Sequence, residues 1–358
     1  MPAEQTTPPP SRPRLAALDG LRLLAAVAVL AYHYTAIDQE FWGNAAGEEF
    51  PAASVVTRYG YLGVELFFVI SGFVILMTAY GRALPGFVAS RISRLYPAYW
   101  AAVLLTVALQ TFWEGGRQVE PVEALVNLTM LQEAWDIGSV QGAFWTLWVE
   151  LKFYLLIGVL IALGGVTRQR AIAYALLWPV LAELTRATEA GLLSSLLIPS
   201  WAPYFAGGML LYLLHREGPD LLVLLGLGLN VVLCIRQATV FAAERAVVHS
   251  EVAISTPVVS LLVVLMFAAV YACSVGPLAR VDQPWLTLAG ALTYPLYLVH
   301  GQFGFFVIEN LSGHVNSYVV LALATALSFL LAWLIHRCIE QPVHEPLRRR
   351  LRTALERP

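Results

Sequence analysis

The stretch LDGLRLLAAVAVLAYHY, residues 18–34, decides the fold class of this chain. With its flanks it is long enough to cross a bilayer, which takes about 20 mainly apolar residues. It nevertheless holds Arg22 near one end and His33 near the other. Their separation corresponds to about three helical turns, so both side chains point to one face of a helix, about 16 Å apart along its axis.

The composition extends this interpretation to the whole chain. Of 358 residues, 58% are hydrophobic and 13% are charged, whereas a soluble domain carries about 25% charged residues. Ten apolar runs are long enough to span a membrane. They lie at about residues 17–36, 60–80, 96–114, 143–163, 171–187, 197–215, 219–236, 257–275, 286–309 and 317–338. The fifth run is the weakest, since Pro179 interrupts it. The sequence therefore predicts an all-α polytopic integral membrane protein with about ten transmembrane helices.

The distribution of arginine predicts how these helices are oriented. The segments on one side of the membrane hold only Arg58, Arg117, Arg186, Arg236 and Arg245, and the other arginines lie on the opposite side. Because cytoplasmic segments carry the excess of basic residues, we expect both termini in the cytoplasm and the protein in the plasma (inner) membrane. We expect a disordered tail at 1–14, a transmembrane domain at 15–342 and a basic tail at 343–358. No basic stripe suggests nucleic acid, and the cysteines show no metal-ligand spacing.

The second predicted span places Glu65 at the depth expected of His33. A carboxylate in the hydrocarbon costs on the order of 3 kcal/mol and is normally paired or lines a cavity. We therefore expect a His33–Glu65 pair, in which the carboxylate orients the imidazole as in a general-base site. The alternative is that Arg22 reaches lipid phosphates and His33 is an interfacial residue. Gly63 and Gly72, with Ser71, predict close helix packing.

The fourth and ninth predicted spans each carry a polar stripe along one helical face. The stripes are Thr146, Glu150 and Tyr154 in one span, and Thr293, Tyr297 and His300 in the other. Glu150 is a second candidate to orient His33, with a structural ion pair to an arginine as its other interpretation. Tyr297 and His300 are candidates for binding an acceptor or for plain packing.

The segment ASRISRLYPAYW, residues 89–100, carries an arginine cluster on the predicted cytoplasmic side. We expect it to be a loop that ends where Pro97 begins the third span. Arg91 and Arg94 are three residues apart and face the end of the first span that holds Arg22. Clustered guanidiniums bind phosphate. The phosphate could belong to a lipid headgroup or to a phosphorylated cytosolic cofactor, and the sequence does not decide between the two. Acyl-coenzyme A, with phosphates at one end and a thioester at the other, would span the distance to His33.

Six stretches of the chain, taken in sequence order, resemble the motifs of the membrane acyltransferase family called acyltransferase 3. The resembling stretches are Arg22 to His33, Gly63 to Phe73, Arg91 to Tyr99, Trp145 to Tyr154, Thr293 to His300, and Glu340 to Pro342. The resemblance implies transfer of an acyl group from cytosolic acyl-CoA, acetyl-CoA first, to a hydroxyl of a carbohydrate, glycolipid or macrolide-like acceptor. It implies that His33 is essential. Separately, we expect no metal.

From this resemblance we assign expected roles to the candidate residues. Catalysis is expected from His33, Glu65 and Glu150, coenzyme binding from Arg22, Arg91 and Arg94, and substrate binding from Ser71, Tyr154, Tyr297 and His300. Some family members carry an esterase-like domain outside the membrane, and we expect none in this protein. We therefore expect direct transfer or a separate extracytoplasmic partner.

Two mechanisms and a second function class stay open at this point. His33 could be a general base or could carry the acyl group covalently. A transporter with an intramembrane proton relay would also hold charges inside the bilayer. The absence of paired, interrupted repeats argues against the transporter.

Overall fold

A computed structural model describes residues 15–37, 40–248 and 254–357, without the side chains of 245–248. The tail at 1–14, expected to be disordered, lies outside the described residues. The described chain contains helices and no strands. The helices are α1 Ala16–Thr35, α2 Ala46–Glu49, α3 Pro51–Thr57, α4 Gly63–Ala79, α5 Leu84–Gln110, α6 Pro121–Asn127, α7 Trp145–Ala162, α8 Arg168–Ala187, α9 Gly191–Leu197, α10 Ala202–Glu217, α11 Leu221–Val248, α12 Thr256–Ser274, α13 Pro284–Leu311, α14 Ser317–Ile335 and α15 Gln341–Leu355.

Each of the ten predicted spans corresponds to a long helix in the described residues, namely α1, α4, α5, α7, α8 and α10 to α14. Nine stretches of the described chain are long and apolar enough to cross a membrane. The helix outside these nine is α8, which the sequence indicated as the weakest because Pro179 interrupts it.

The contacts of α8 show that it nevertheless runs the length of a spanning helix. At its start, Arg168 forms ion pairs with Glu217 at 2.7 Å and with Asp220, just before α11, at 3.0 Å. Near its end, the Glu183 carboxylate accepts a hydrogen bond from Gln237 of α11. The two contacts on α8 are about 22 Å apart along its axis. The prediction of an all-α polytopic membrane protein is confirmed, with nine helices of the described chain long and apolar enough to span and α8 packed beside one of them, α11.

The third predicted span begins earlier than the sequence indicated. The expectation that Pro97 begins this helix is wrong, because α5 starts at Leu84 and continues through Pro97. A proline inside a helix removes one backbone hydrogen bond. Here the burial of Phe87 and Leu95 offsets that loss, and the hydroxyl of Tyr294 donates to the Leu95 carbonyl at 3.1 Å. The two arginines of the predicted loop are therefore held on a rigid helix.

Two glycines allow α4 and α10 to touch backbone to backbone. A Cβ atom at Gly72 would overlap the carbonyl of Phe205, and one at Gly208 would overlap the carbonyl of Val69. On the other side of α4, a Cβ at Gly63 would lie 2.5 Å from the carbonyl oxygen of Ala25. The predicted role of Gly63 and Gly72 in close packing is confirmed, and α4 is fixed between α1 and α10.

Both ends of the described chain lie at the same end of the bundle. Leu15 at the start of α1 and Arg348 of α15 line one cavity. The C-terminal helix α15, which the sequence indicated only as a basic tail, packs against α5. That both termini are cytoplasmic stays a prediction.

Candidate active site

A cavity of about 440 Å³ lies between α1, α4, α5, α7, α13 and α15, and we call it the arginine cavity. Its arginines are Arg22, Arg82, Arg91, Arg94 and Arg348. In the part of the chain that the structure describes, no ion pair joins Arg22, Arg91 or Arg94 to a carboxylate. The Nε atom of Arg91 is buried without a hydrogen-bond partner there. Guanidiniums that lack carboxylate partners are suited to bind phosphate.

Glu150 lies in the wall of the arginine cavity and is held by two hydroxyls. Ser71 of α4 and Tyr154 of α7 each donate to its Oε1 atom at 2.6 Å. Thr146, on the same stripe of α7, lines the same cavity. The stripe on α7 therefore faces the interior, as the helical spacing predicts.

A second cavity, of about 450 Å³, lies on the other side of the bundle interior, and we call it the histidine cavity. It is lined by His33, His300 and Glu65, with the amides of Gln141 and Gln302. Its remaining wall is largely aromatic, formed by Tyr32, Phe41, Tyr61, Trp145, Trp201, Phe241, Tyr297 and Phe305. It offers two imidazoles, one carboxylate, two amides, the guanidinium of Arg117 and several aromatic faces to a ligand.

His33 and His300 form a pair inside this cavity. The Nε2 atom of His300 lies 3.3 Å from Nδ1 of His33, and the rings meet edge to face with centroids 5.0 Å apart. Nδ1 of His33 also lies 2.8 Å from the carbonyl oxygen of Val29. Nδ1 of His300 lies 2.9 Å from the carbonyl oxygen of Tyr297. The aligned polar stripes on α1 and α13 therefore converge on each other.

The two cavities share part of one wall. Val64 and Tyr297 line both of them. The Tyr297 hydroxyl lies 2.9 Å from Oγ1 of Thr146 and donates to the carbonyl of Ala143 at 3.2 Å. A molecule passing from the arginines to the histidines would pass this wall.

The structure divides the predicted site residues between the two cavities. The arginine cavity holds Arg22, Ser71, Arg91, Arg94, Glu150 and Tyr154, the histidine cavity holds His33, Glu65 and His300, and Tyr297 borders both. Glu150, the second candidate to orient His33, lies in the other cavity, and its role toward His33 stays a prediction. Glu150 lies one helical turn beyond Thr146, on the arginine side of the shared wall, and its carboxylate accepts hydrogen bonds there.

Several lining residues were missed by the sequence reasoning. Arg82, His344 and Arg348 complete the arginine cavity, and Gln141 belongs to the histidine cavity. The arginine spacing in α15 could have indicated a helix face, whereas Gln141 lies in a short connection without periodicity. In the described residues, no group of three or more His, Cys, Asp or Glu side chains could hold a metal ion.

The family described as "Acyltransferase domain", acyltransferase 3, matches residues 15–337. Three curated relatives also match parts of the chain. The "Acyltransferase MdmB" of Streptomyces mycarofaciens is 30% identical over 160 residues, which are 41% of this chain and 39% of that protein. The "Putative peptidoglycan O-acetyltransferase YrhL" of Bacillus subtilis is 27% identical over 41% of this chain and 24% of its own length. For the "Peptidoglycan O-acetyltransferase OatA" of Listeria monocytogenes, identity is 32% over 29% of this chain and 15% of that protein.

The matched segments thus span less than half of these relatives' own lengths. No solved structure matches the chain. The family match, however, extends from the first described residue to the end of the last spanning helix. Because it covers nearly the whole chain, we conclude that this protein belongs to the acyltransferase 3 family.

Proposed function

We propose that this integral, multi-pass membrane protein is an O-acyltransferase that moves an acyl group, first of all acetyl, from cytosolic acyl-CoA to an acceptor hydroxyl. The observation that carries the proposal is the shared wall at Val64 and Tyr297. It brings a cavity suited to phosphate directly against a cavity that holds the pair of half-buried His33 and buried His300. Such an arrangement fits a long donor with its anionic end in one cavity and its reactive end at the other.

The arginine cavity fits the phosphates of coenzyme A. No ion pair joins a described carboxylate to Arg22, Arg91 or Arg94. The buried Nε–H of Arg91 can donate a hydrogen bond to a phosphate oxygen. Arg348 of α15 supplies a further guanidinium. Because the sequence predicts most arginines on the side of the membrane that holds this cavity, the cavity is proposed to open to the cytoplasm, and the membrane is proposed to be the plasma (inner) membrane.

The chemistry in the histidine cavity is proposed to run through His33. Acyl-CoA supplies a thioester carbonyl. His33 accepts the proton of the acceptor hydroxyl while the acceptor oxygen forms a bond to that carbonyl, and the carbon–sulfur bond then breaks. His33 returns the proton to the departing thiolate, so the products are an ester and a free thiol. A positioned general base contributes roughly 10² to 10⁴ in rate. The covalent acyl-histidine route remains the competing form.

The acceptor is proposed to be a carbohydrate, a glycolipid or a macrolide-like molecule that enters the histidine cavity. Trp145 and Trp201 offer flat apolar faces, and Gln141 and Gln302 offer amides. Two relatives are named peptidoglycan O-acetyltransferases, which supports a glycan among these classes. A separate extracytoplasmic protein that passes the acyl group onward remains part of this proposal.

The test uses the full-length protein in lipid nanodiscs with acetyl-CoA labelled in the acetyl group. We expect label to pass to an acceptor extract from membranes, and we expect His33→Ala to reduce the rate at least about 100-fold. His314→Ala is the matched control, since His314 is exposed outside both cavities. Full transfer by His33→Ala would overturn the assignment of His33. If proteoliposomes exported an unmodified small acid and no acyl group were transferred, the protein would be a transporter and the proposed acyltransferase function would be wrong.

A further inference from the structure

The hydrogen-bond network around the two imidazoles fixes where their protons lie. A carbonyl oxygen only accepts hydrogen bonds, and a neutral imidazole carries one N–H and one lone pair. Nδ1 of His300 faces the Tyr297 carbonyl at 2.9 Å, so Nδ1 carries the hydrogen and Nε2 is the acceptor. That acceptor lies 3.3 Å from Nδ1 of His33.

The same reasoning assigns the tautomer of His33. Its Nδ1 atom faces two acceptors, the carbonyl of Val29 at 2.8 Å and Nε2 of His300. Both contacts require hydrogen on Nδ1, which leaves the lone pair of neutral His33 on Nε2.

The backbone around His300 is held from two sides. Gln141 donates from Nε2 to the carbonyl of Leu298 at 2.9 Å and accepts from the N–H of Gln302 at 3.0 Å. The hydroxyl of Tyr34 donates to the carbonyl of His300 at 2.5 Å. The His300 side chain is 2% exposed. The position of this imidazole is therefore set by side chains of α1 and of the connection before α7.

Two glycines provide the space for these supporting side chains. A Cβ atom at Gly301 would lie 2.8 Å from Oε1 of Gln141, and one at Gly304 would overlap the hydroxyl of Tyr34. The Tyr34 hydroxyl is also 2.8 Å from Oγ of Ser328 on α14. Three elements thus converge on one turn of α13, which is more support than packing of an isolated histidine would require.

We propose that His300 is a positioning residue that fixes His33 in the Nδ1–H tautomer, so that Nε2 of His33 is the nitrogen that takes the acceptor proton or the acyl group. The inference rests on the proposed acyl transfer for its functional part. Its structural part, the tautomer, stands independently of any activity. Gln141 supports this position by holding the backbone around His300.

Two substitutions separate the contact to His33 from the contact within α13. In His300→Gln the amide reaches the former Nε2 position, and its oxygen can accept from Nδ1–H of His33. In His300→Asn the amide reaches only the former Nδ1 position, so it keeps the Tyr297 carbonyl and loses His33. We expect His300→Asn to lower kcat about 100-fold with KM for acyl-CoA within about twofold, and His300→Gln to restore kcat to within about tenfold of the wild type.

The tautomer itself is read from nitrogen NMR of the full chain in lipid bilayers, labelled at its 7 histidines. The His33 signals are assigned by difference with His33→Ala. We expect hydrogen on Nδ1 of His33 in the wild type and in His300→Gln, and a larger fraction of the Nε2–H tautomer in His300→Asn, where the Val29 carbonyl alone still accepts from Nδ1.

Hydrogen on Nε2 of wild-type His33 would overturn the assignment without any variant. Equal kcat for the Asn and Gln variants would overturn the positioning role. If the protein transfers no acyl group at all, the proposed function fails while the NMR measurement still decides the tautomer.

Discussion

The hydroxyl of Tyr297 on α13 lies 2.9 Å from Oγ1 of Thr146 on α7, at the wall that separates the arginine cavity from the histidine cavity. This contact ties together the polar stripes of two helices. Each stripe alone could line either cavity. Their meeting at one point places the arginines on one side and the imidazoles on the other.

The shared wall predicts that its obstruction stops transfer without affecting donor binding. Val64 is half-buried and lines both cavities, so Val64→Trp fills the space between them. We expect the transfer rate to fall at least about tenfold, while the Kd for coenzyme A stays within about twofold, since a misplacement of about 1 Å costs about 100-fold. Rate and Kd are measured by label transfer and by calorimetry.

Leu24→Trp is the control for this substitution. Leu24 lies on α1 with 62% of its side chain exposed, outside both cavities. We expect it to leave both quantities unchanged. Unimpaired transfer by Val64→Trp would show that the two cavities do not form one path.

The arginine cavity predicts that the C-terminal helix takes part in donor binding. Arg348 lines the cavity, and a charge-assisted hydrogen bond contributes about 1.5–3 kcal/mol. We expect Arg348→Ala to weaken the binding of coenzyme A about tenfold or more, measured by calorimetry in nanodiscs. Arg349→Ala is the matched control, because the neighbouring side chain is 79% exposed. Equal affinities of the two variants for coenzyme A would show that α15 takes no part in donor binding.

The elements that the sequence predicted correctly depend on local patterns. Hydropathy over about 20 residues located every spanning helix. Helical spacing placed Arg22 and His33 on one inward face, and did the same for Thr146 and Glu150. These inferences need only the geometry of a single helix.

The features that the sequence did not predict depend on how helices are offset against each other. Glu150 lies in the arginine cavity because the start of α7 meets Tyr297, and no local pattern specifies that register. Gln141 sits in a connection whose residues follow no period. Arg348 belongs to the basic helix α15, whose sequence is equally compatible with a solvated tail. Only its packing against α5 places Arg348 at the cavity.

Glu150 and Glu65 lie in different cavities, so we expect their substitutions to have different kinetic effects. Glu150→Ala removes the acceptor of Ser71 and Tyr154 in the arginine cavity, so we expect KM for acyl-CoA to rise about tenfold with kcat within about threefold. Glu65 lines the histidine cavity, so Glu65→Ala is expected to lower kcat. Steady-state kinetics with varied acyl-CoA measure both.

Glu150→Gln provides the control for this split. The amide oxygen can still accept from both hydroxyls, so KM is expected to return to within about threefold of the wild type. A fall in kcat of Glu150→Ala at unchanged KM would instead place this carboxylate in the chemical step.

The contact between α4 and α10 predicts a stability effect that separates packing from chemistry. Gly208 has no room for a Cβ atom, because the Val69 carbonyl of α4 occupies that space. Backbone cannot move aside as a flexible side chain can, and overpacking costs about 1–3 kcal/mol. We therefore expect Gly208→Ala to lower the midpoint of thermal unfolding in detergent. The matched control is Gly228→Ala on α11, where nothing lies within reach of a Cβ and alanine favours the helix by up to about 1 kcal/mol. Unchanged stability of Gly208→Ala would mean that α4 and α10 do not touch here. The positions of Ser71 and Val64, which depend on the placement of α4, would then also be wrong.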